Sequence, residues 1–237
     1  MEEFIPQLKT DKEFTNKIIR KYHFGGENTG KVASLCDISL PLVSSACYYV
    51  WKKADTEITY DEYAVCLVTL GTAFDKLVDL YAENNCLLEA YMLDCIGLEF
   101  MTRSYEQLVK HIQTKYCKWG TKLDFLGDTY PVDMMARLME NFTGTGVLIN
   151  DEMMLKPLKS VLFLLPVSDQ EQKADACRIC TNCGNVNCMF REASGSEQQN
   201  SIQKISSIPK INSMSKNNGI PGGSYGIRQI FKNEGGK

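Results

Sequence analysis

The sequence predicts a fold that contains both helices and strands but is not a doubly wound α/β fold. Residues 46–51 (ACYYVW) and 64–70 (AVCLVTL) are uncharged and rich in aromatic or β-branched side chains, which is typical of strands. These two segments do not alternate with helices in a βαβ rhythm. The third observation is a near-heptad apolar rhythm over residues 86–116, which predicts a helix about 45 Å long.

Shorter elements are predicted on either side of these segments. Residues 11–24 form a helix that ends at a glycine pair, and its apolar face consists of Phe14, Ile18, Ile19 and Tyr22. Residues 32–43 are mixed, because Pro41 interrupts any helix there. A Gly-Asp-x-x-Pro turn at 127–131 precedes a short helix over 132–142. Residues 147–149 and 160–165 are predicted strands that flank an irregular link.

The composition changes after Arg191. Residues 192–237 are rich in Ser, Asn, Gly and Lys, lack a sustained period, and carry a net charge of +3, which leaves −6 on the rest of the chain. We therefore expect one globular domain over 1–191 and a disordered or loosely docked extension over 192–237.

Charge and hydropathy exclude several classes of function. The net charge of −3 provides no field that would attract nucleic acid or an anionic membrane. The acidic N-terminal residues lack the apolar region of a signal peptide, so none is expected, and the longest apolar run, 161–167, is too short to span a bilayer. A cytoplasmic protein is expected, without a nucleic-acid or membrane partner. Six of the cysteines are therefore predicted to be reduced core thiols: Cys36, Cys47, Cys66, Cys86, Cys95 and Cys117.

The other four cysteines form the densest chemical feature of the chain. Cys177, Cys180, Cys183 and Cys188 follow the spacing C-x2-C-x2-C-x4-C, and Arg191 closes the run. Four local thiolates suit a structural zinc site. Two successive x2 gaps also resemble an iron–sulfur ligand run. Packed thiols at a turn are the third interpretation, and spacing alone leaves the three open.

A second unusual segment is residues 149–161, INDEMMLKPLKSV. Asp151 is suited to accept a hydrogen bond from a ligand amino group, and Lys159 and Ser160 are suited to contact a carboxylate or phosphate. A charged connection between strands, with methionines that fill core gaps, is the simpler interpretation. No P-loop, G-x-G-x-x-G or G-x-S-x-G motif occurs, and His23 and His111 have no partner pattern.

Three segments taken in order resemble the activation domain of vitamin B12-dependent methionine synthase in its free-standing bacterial form. They are the Gly127-Asp128-x-x-Pro131 turn, the segment from Asn150 to Val161, and the terminal C-x2-C-x4-C-x2-R from Cys180 to Arg191. The resemblance covers about residues 10–191. It implies an α+β fold in which long helices pack on a twisted antiparallel sheet.

The resemblance also implies a function and its cofactors. In that family, S-adenosylmethionine remethylates a cobalamin whose cobalt has slipped to Co(II), with one electron supplied by an electron-donor protein. The chain would then be an accessory subunit whose partner is a cobalamin-binding methionine synthase or another corrinoid protein. The alternative is a four-cysteine Fe–S or Zn module for electron transfer or for docking on a corrinoid protein, without S-adenosylmethionine.

Candidate ligand contacts follow from the resemblance position by position. Asp151 falls where the family has the Glu of its TES motif, and Lys159 and Ser160 match directly. Phe125 replaces a family tyrosine and lacks its hydroxyl, and the family's Arg-x-x-x-Gly-Tyr is absent. Glu99, on the predicted long helix, corresponds loosely to a family carboxylate near the ligand. The predicted cofactor-binding set is Phe125, Asp128, Tyr130, Asp151, Lys159 and Ser160, and the predicted metal set is Cys177, Cys180, Cys183 and Cys188.

Overall fold

A computed structural model describes residues 1–172 of the chain. The main-sheet strands are β1 (Glu2–Phe4), β2 (Ala46–Lys53), β3 (Glu62–Thr69), β4 (Trp119–Gly120), β5 (Asp124–Phe125) and β8 (Ser160–Ser168). The order is β1-β2-β3-β8-β4, with β5 also paired to β8, and every pairing is antiparallel. A separate hairpin consists of β6 (Leu148–Ile149) and β7 (Leu155–Lys156).

Among the described residues, four helices pack on one face of this sheet and a fifth packs on the other. They are α1 (Lys12–Lys21), α2 (Thr29–Ser39), α3 (Thr72–Glu83), α4 (Leu87–Tyr116) and α5 (Met134–Met139). The first four contribute to a large apolar core, in which α4 buries Ile96, Phe100 and Leu108 completely. Helix α5 belongs to a smaller core on the opposite face, where Phe142 is also buried. The predicted α+β class, with helices against an antiparallel sheet, is confirmed.

Strand β8 is buried on both faces because its residues alternate between the two cores. Phe163 and Leu165 belong to the core on the helical face, and Leu162 and Leu164 belong to the opposite one. Its full-length pairing with β3 and the shorter pairings with β4 and β5 place it inside the sheet. An uninterrupted apolar run is the sequence that such a two-faced strand requires.

Helix ends follow local chemistry. The Asp11 side chain accepts a hydrogen bond from the Phe14 backbone N–H at 2.8 Å and caps α1. His23 has a positive φ of 56°, so α1 ends before the predicted glycine pair. Helix α4 runs for 30 residues and ends at Cys117, which adopts the left-handed conformation.

Two sequence predictions need correction, and one helix was not predicted. Residues 29–39 form α2, because Pro41 lies beyond the helix and only starts the following 3-10 turn at Leu40–Leu42. Helix α3 was not predicted, although Phe74, Leu77 and Tyr81 lie on one helical face. The helix expected over 132–142 is divided into α5 and a 3-10 turn at Glu140–Phe142.

The six scattered cysteines form no disulfide bonds, but not all are core residues. Cys36, Cys47, Cys66 and Cys95 are buried, Cys86 is half-buried, and Cys117 is exposed. Burial raises the pKa of the Cys36 and Cys47 thiols to about 12 and that of Cys95 to about 11. Burial therefore favours the neutral form of these three thiols. The four clustered cysteines and the boundary expected at 191 lie outside the described residues.

Candidate functional site

The start of β8 places Lys159 between two helices of the main core. The Lys159 ammonium forms an ion pair with Asp94 of α4, and its side chain is only 14% exposed, whereas that of Asp94 is 47% exposed. The Asp75 carboxylate, in the first turn of α3, accepts hydrogen bonds from the backbone N–H groups of Leu158 and Lys159. A basic side chain and two acidic ones thus meet at this junction.

Close packing at Gly97 holds the Lys159 side chain in place. A Cβ atom added to Gly97 would lie 2.7 Å from Cε1 of Phe74 and 3.0 Å from Cε of Lys159. Only glycine therefore allows α3 and the Lys159 stem to approach α4 this closely. The ammonium is positioned by packing as well as by charge.

Ser160 projects to the other face of the sheet from Lys159. Its hydroxyl shares a hydrogen bond of 2.8 Å with that of Thr69, the cross-strand partner on β3. The Thr69 hydroxyl also accepts the Gly71 N–H at 3.1 Å. Gly71 has a positive φ of 84°, so the hydroxyl pair caps the tight exit from β3. Ser160 is half-buried and already has this partner.

Phe125 lies against the helical face of the sheet. It pairs with Phe163 on β8, and the two rings are 5.7 Å apart, centroid to centroid. Tyr105 of α4 completes the group, with centroids 6.2 Å from Phe125 and 5.5 Å from Phe163. Burial raises the pKa of Tyr105. Phe125 is therefore half-buried and packs in an aromatic cluster with Tyr105 and Phe163.

The Gly-Asp-x-x-Pro turn separates its two candidate residues. Asp128 is exposed at the turn, and its backbone N–H donates to the Phe125 carbonyl at 3.2 Å. Tyr130 is buried in the smaller core, and its hydroxyl lies 3.1 Å from the Thr59 backbone nitrogen and 3.2 Å from the Thr59 hydroxyl. Asp128 is available to a ligand, whereas Tyr130 supports the turn.

Asp151 lies at the exposed tip of the β6–β7 hairpin. Asn150 organises this tip: its side chain accepts the Met154 N–H at 2.8 Å, and its carbonyl accepts the Met153 N–H at 3.0 Å. Met153 adopts a positive φ of 58° to close the loop. Within residues 1–172, the Asp151 carboxylate has no hydrogen bond or ion pair, so it is directed to solvent.

The six predicted residues do not form one contact cluster within the described part of the chain. Lys159 and Phe125 face the helices, whereas Ser160 and Tyr130 lie on the opposite face. What connects them is β8 itself, since the 149–161 segment leads into it and β5 pairs with it.

Two functional candidates were missed from the sequence. Asp94 and Asp75 are 65 and 84 residues from Lys159 in the sequence. Spacing between neighbouring residues therefore does not predict these contacts. The apolar period of α3 would have placed Asp75 at the start of a helix. Asp94 had no comparable signal, because acidic residues are common on the exposed side of a helix.

Glu99 is the most deeply buried carboxylate of α4, with 1% of its side chain exposed. The ammonium groups of Lys21 and Lys17 lie 2.7 Å and 3.0 Å from its two oxygens, and the Tyr22 hydroxyl donates to it at 2.9 Å. Burial raises the pKa of Glu99, but the hydrogen bond and charge of Lys21, together with Lys17, outweigh burial and lower the pKa overall. In this structure the carboxylate joins α1 to α4.

Comparison with known proteins does not assign the chain to a family. No protein-family model matches the chain, and no curated protein matches it significantly. Among residues 1–172, no group of three or more His, Cys, Asp or Glu side chains is arranged to hold a metal ion. Over the same residues, every helix is too short or too polar to cross a membrane. The charged and hydroxyl groups of Lys159 and Ser160 beside β8 already have partners within the chain, whereas Asp128 and Asp151 are exposed to solvent.

Proposed function

We propose that the protein is a cytoplasmic accessory subunit for a cobalamin-dependent methionine synthase or a related corrinoid methyltransferase. It would bind S-adenosylmethionine and support the reductive remethylation of cob(II)alamin on its partner. The electron would come from a separate donor protein. The basis is the ordered succession of three motifs in the sequence, together with an α+β fold of the kind that the resemblance implies.

One observation carries this proposal: β8 lies beside both of the motif segments that the structure describes. Strand β5, which leads into the Gly-Asp-x-x-Pro turn, pairs with β8 through Phe125 and Phe163, and the last residues of the second motif, Ser160 and Val161, begin the same strand. The third motif follows β8 in sequence and lies outside the described residues. A single strand that links the motifs supports a common purpose for them.

The chemistry of the available groups fits S-adenosylmethionine. That ligand has an α-amino group, a carboxylate and a sulfonium cation, and it supplies a methyl group when bound. Asp151, exposed on the hairpin tip, would accept a hydrogen bond from the amino group. Lys159 would contact the carboxylate only by sharing its ammonium with Asp94, since the two form an ion pair in the described structure. The chain's task is to bind and orient the donor.

Anaerobic calorimetry with S-adenosylmethionine tests the binding. We expect Asp151→Ala to weaken affinity about ten- to hundredfold, since a charge-assisted hydrogen bond contributes about 1.5–3 kcal/mol. Glu152→Ala is the matched control, because Glu152 is an equally exposed acid on the same turn. An absence of heat with folded wild-type protein, or equal losses in both variants, would contradict the proposal. A reconstituted cob(II)alamin remethylation assay then tests the activity.

The four-cysteine run supports a second candidate, a thiolate-ligated Fe–S or Zn module that transfers electrons or docks on a corrinoid protein. Anaerobic purification followed by metal analysis and visible spectroscopy tests it. A brown protein with iron and sulfide would support the cluster, and one colourless zinc per chain would support a structural site. A metal-free protein with unchanged stability would exclude this candidate.

A further inference from the structure

An exposed and largely apolar stripe runs along the N-terminal half of helix α4. Leu87, Tyr91 and Leu98 are 66%, 46% and 45% exposed, respectively. Asp94 lies on the same helical face, and its side chain is 47% exposed. Successive members of this set are four, three and four residues apart, so they form one line about 16 Å long on the helix. Together these four residues form the α4 stripe.

The neighbours of the α4 stripe on the helix belong to the core. Ala90 and Met101 are buried along one side of it, and Cys95 and Glu99 are buried along the other. Leu88, in the first turn, is also exposed and widens the apolar surface there. The exposed part of this half of α4 is therefore mostly apolar, where the solvated face of a helix is ordinarily polar. Such a contiguous apolar patch marks an interaction surface.

The α4 stripe is self-complementary when two copies lie antiparallel. Its midpoint falls between Met92 and Leu93. A two-fold axis at that point places Leu87 opposite Leu98 of the second copy, and Tyr91 opposite Asp94 of the second copy. Alternating steps of three and four residues are the spacing by which helices pair along an apolar seam. Two apolar outer layers thus enclose two polar inner layers.

The polar groups of the inner layers have capacity for this contact. Lys159 contacts Oδ1 of Asp94, and a carboxylate accepts about four hydrogen bonds, so Oδ2 can accept one from Tyr91 of the second copy. Within the chain, the Tyr91 hydroxyl lies beside the Cys95 thiol, which is only a weak hydrogen-bonding group. The ammonium group of Lys159 in each copy offsets the negative charges that the two Asp94 side chains bring together.

We propose that two copies of the chain form a symmetric dimer in which their α4 stripes pack antiparallel. A second copy is favoured over an unrelated helix because both kinds of layer find their complement within the same four residues. The contact is short, so we expect a dissociation constant in the micromolar range, as for transient interfaces. This inference goes beyond the proposed function and does not depend on S-adenosylmethionine binding.

Sedimentation velocity of the full chain, under reducing conditions that prevent intermolecular disulfides, tests the proposal. We expect the wild type to shift from monomer to dimer as its concentration rises through the micromolar range. Leu98→Glu should weaken association about tenfold or more, because it places a carboxylate in both apolar outer layers. The matched control is Leu148→Glu, since Leu148 is an exposed leucine on the β6–β7 hairpin, which covers the opposite face of the sheet. It should leave association unchanged, and circular dichroism checks that both variants are folded.

A mixing experiment tests the antiparallel register. Leu87→Lys alone should also weaken association, but an equal mixture of Leu87→Lys and Leu98→Glu chains should associate more tightly than either alone. In the mixed dimer, one outer layer pairs the introduced ammonium with the introduced carboxylate, and the other keeps both leucines. The proposal is overturned by a wild type that stays monomeric, by equal weakening in Leu148→Glu, or by a mixture that associates no better than its components.

Discussion

The two faces of the sheet are built in different ways. On the helical face, α1, α2, α3 and α4 bury a continuous core in which Phe14 and Phe100 stack with centroids 5.1 Å apart. On the opposite face the cover consists of α5, a 3-10 turn, the 127–131 turn and the β6–β7 hairpin. Long helices cover one face, and short irregular segments cover the other.

The motif residues divide between these two constructions. Asp151 and Tyr130 belong to the short segments, whereas Lys159 reaches the helical face and is fixed there by Asp94 and Gly97. Rigid helices provide the scaffold, and the short segments present side chains whose positions depend on local turns. The comparison therefore predicts that the helical face contributes more stability and that the opposite face contributes more to ligand contact.

The largest expected effect is a cavity on the helical face. Phe100→Ala should lower the free energy of unfolding by about 4 kcal/mol, because the ring is fully buried between Phe14 and Phe74 and helices cannot easily collapse into the space. Phe142→Ala, on the opposite face, should cost less because its short cover can relax. Urea unfolding followed by circular dichroism measures both, and a larger cost for Phe142→Ala would reverse the comparison.

The next effect concerns the buried carboxylate. Glu99→Gln should cost about 3 kcal/mol at pH 7, because the charges of Lys17 and Lys21 lose their buried partner. The folded-state pKa of Glu99 is lowered, so its stabilisation is present above the ordinary value of 4.5 and is lost as pH falls through the folded-state pKa. The variant and wild type should therefore converge in stability as the pH falls below 4.5 and through the folded-state pKa, and a difference that does not shrink with falling pH would contradict this account.

Helix packing beside Lys159 gives a smaller effect. Gly97→Ala should lower stability by about 2 kcal/mol, because its Cβ would overlap the Phe74 ring and displace the Lys159 stem. The matched control is Gly30→Ala in α2, where no atom lies within 4 Å of the added Cβ. That change should be neutral or stabilising by up to about 1 kcal/mol. Thermal unfolding of the pair measures both, and equal destabilisation would exclude the packing argument.

The periodic elements of the fold were predictable from the sequence. The apolar rhythm of 86–116 and the uncharged runs at 46–51 and 64–70 predicted α4, β2 and β3. Such patterns report burial of one face or of both faces, which depends on residues close in sequence. The prediction for 32–43 was wrong because of Pro41. A proline just after a helix cannot be distinguished from one within a helix until the C-terminal end of the helix is known.

The candidate site was less predictable because its contacts are distant in sequence. The family resemblance drew attention to Lys159 and Ser160, but their partners Asp94 and Thr69 are 65 and 91 residues away. The burial of Tyr130 likewise depends on Tyr60, whose ring lies 5.6 Å from it. Only the folded arrangement distinguishes a residue that supports a turn from one that faces solvent.

The smallest expected effect separates those two roles. Tyr130→Phe removes the hydroxyl that bonds to Thr59 and should lower stability by about 1 kcal/mol, since the ring remains to fill the smaller core. If Tyr130 only supports the turn, the Tyr130→Phe variant should bind S-adenosylmethionine with unchanged affinity at a temperature where it is folded. Asp128→Asn, at the exposed turn, should show the converse: unchanged stability and weaker ligand binding. Calorimetry and urea unfolding on both variants check the contrast, and a loss of affinity in Tyr130→Phe alone would move the ligand contact from the exposed turn to the buried tyrosine.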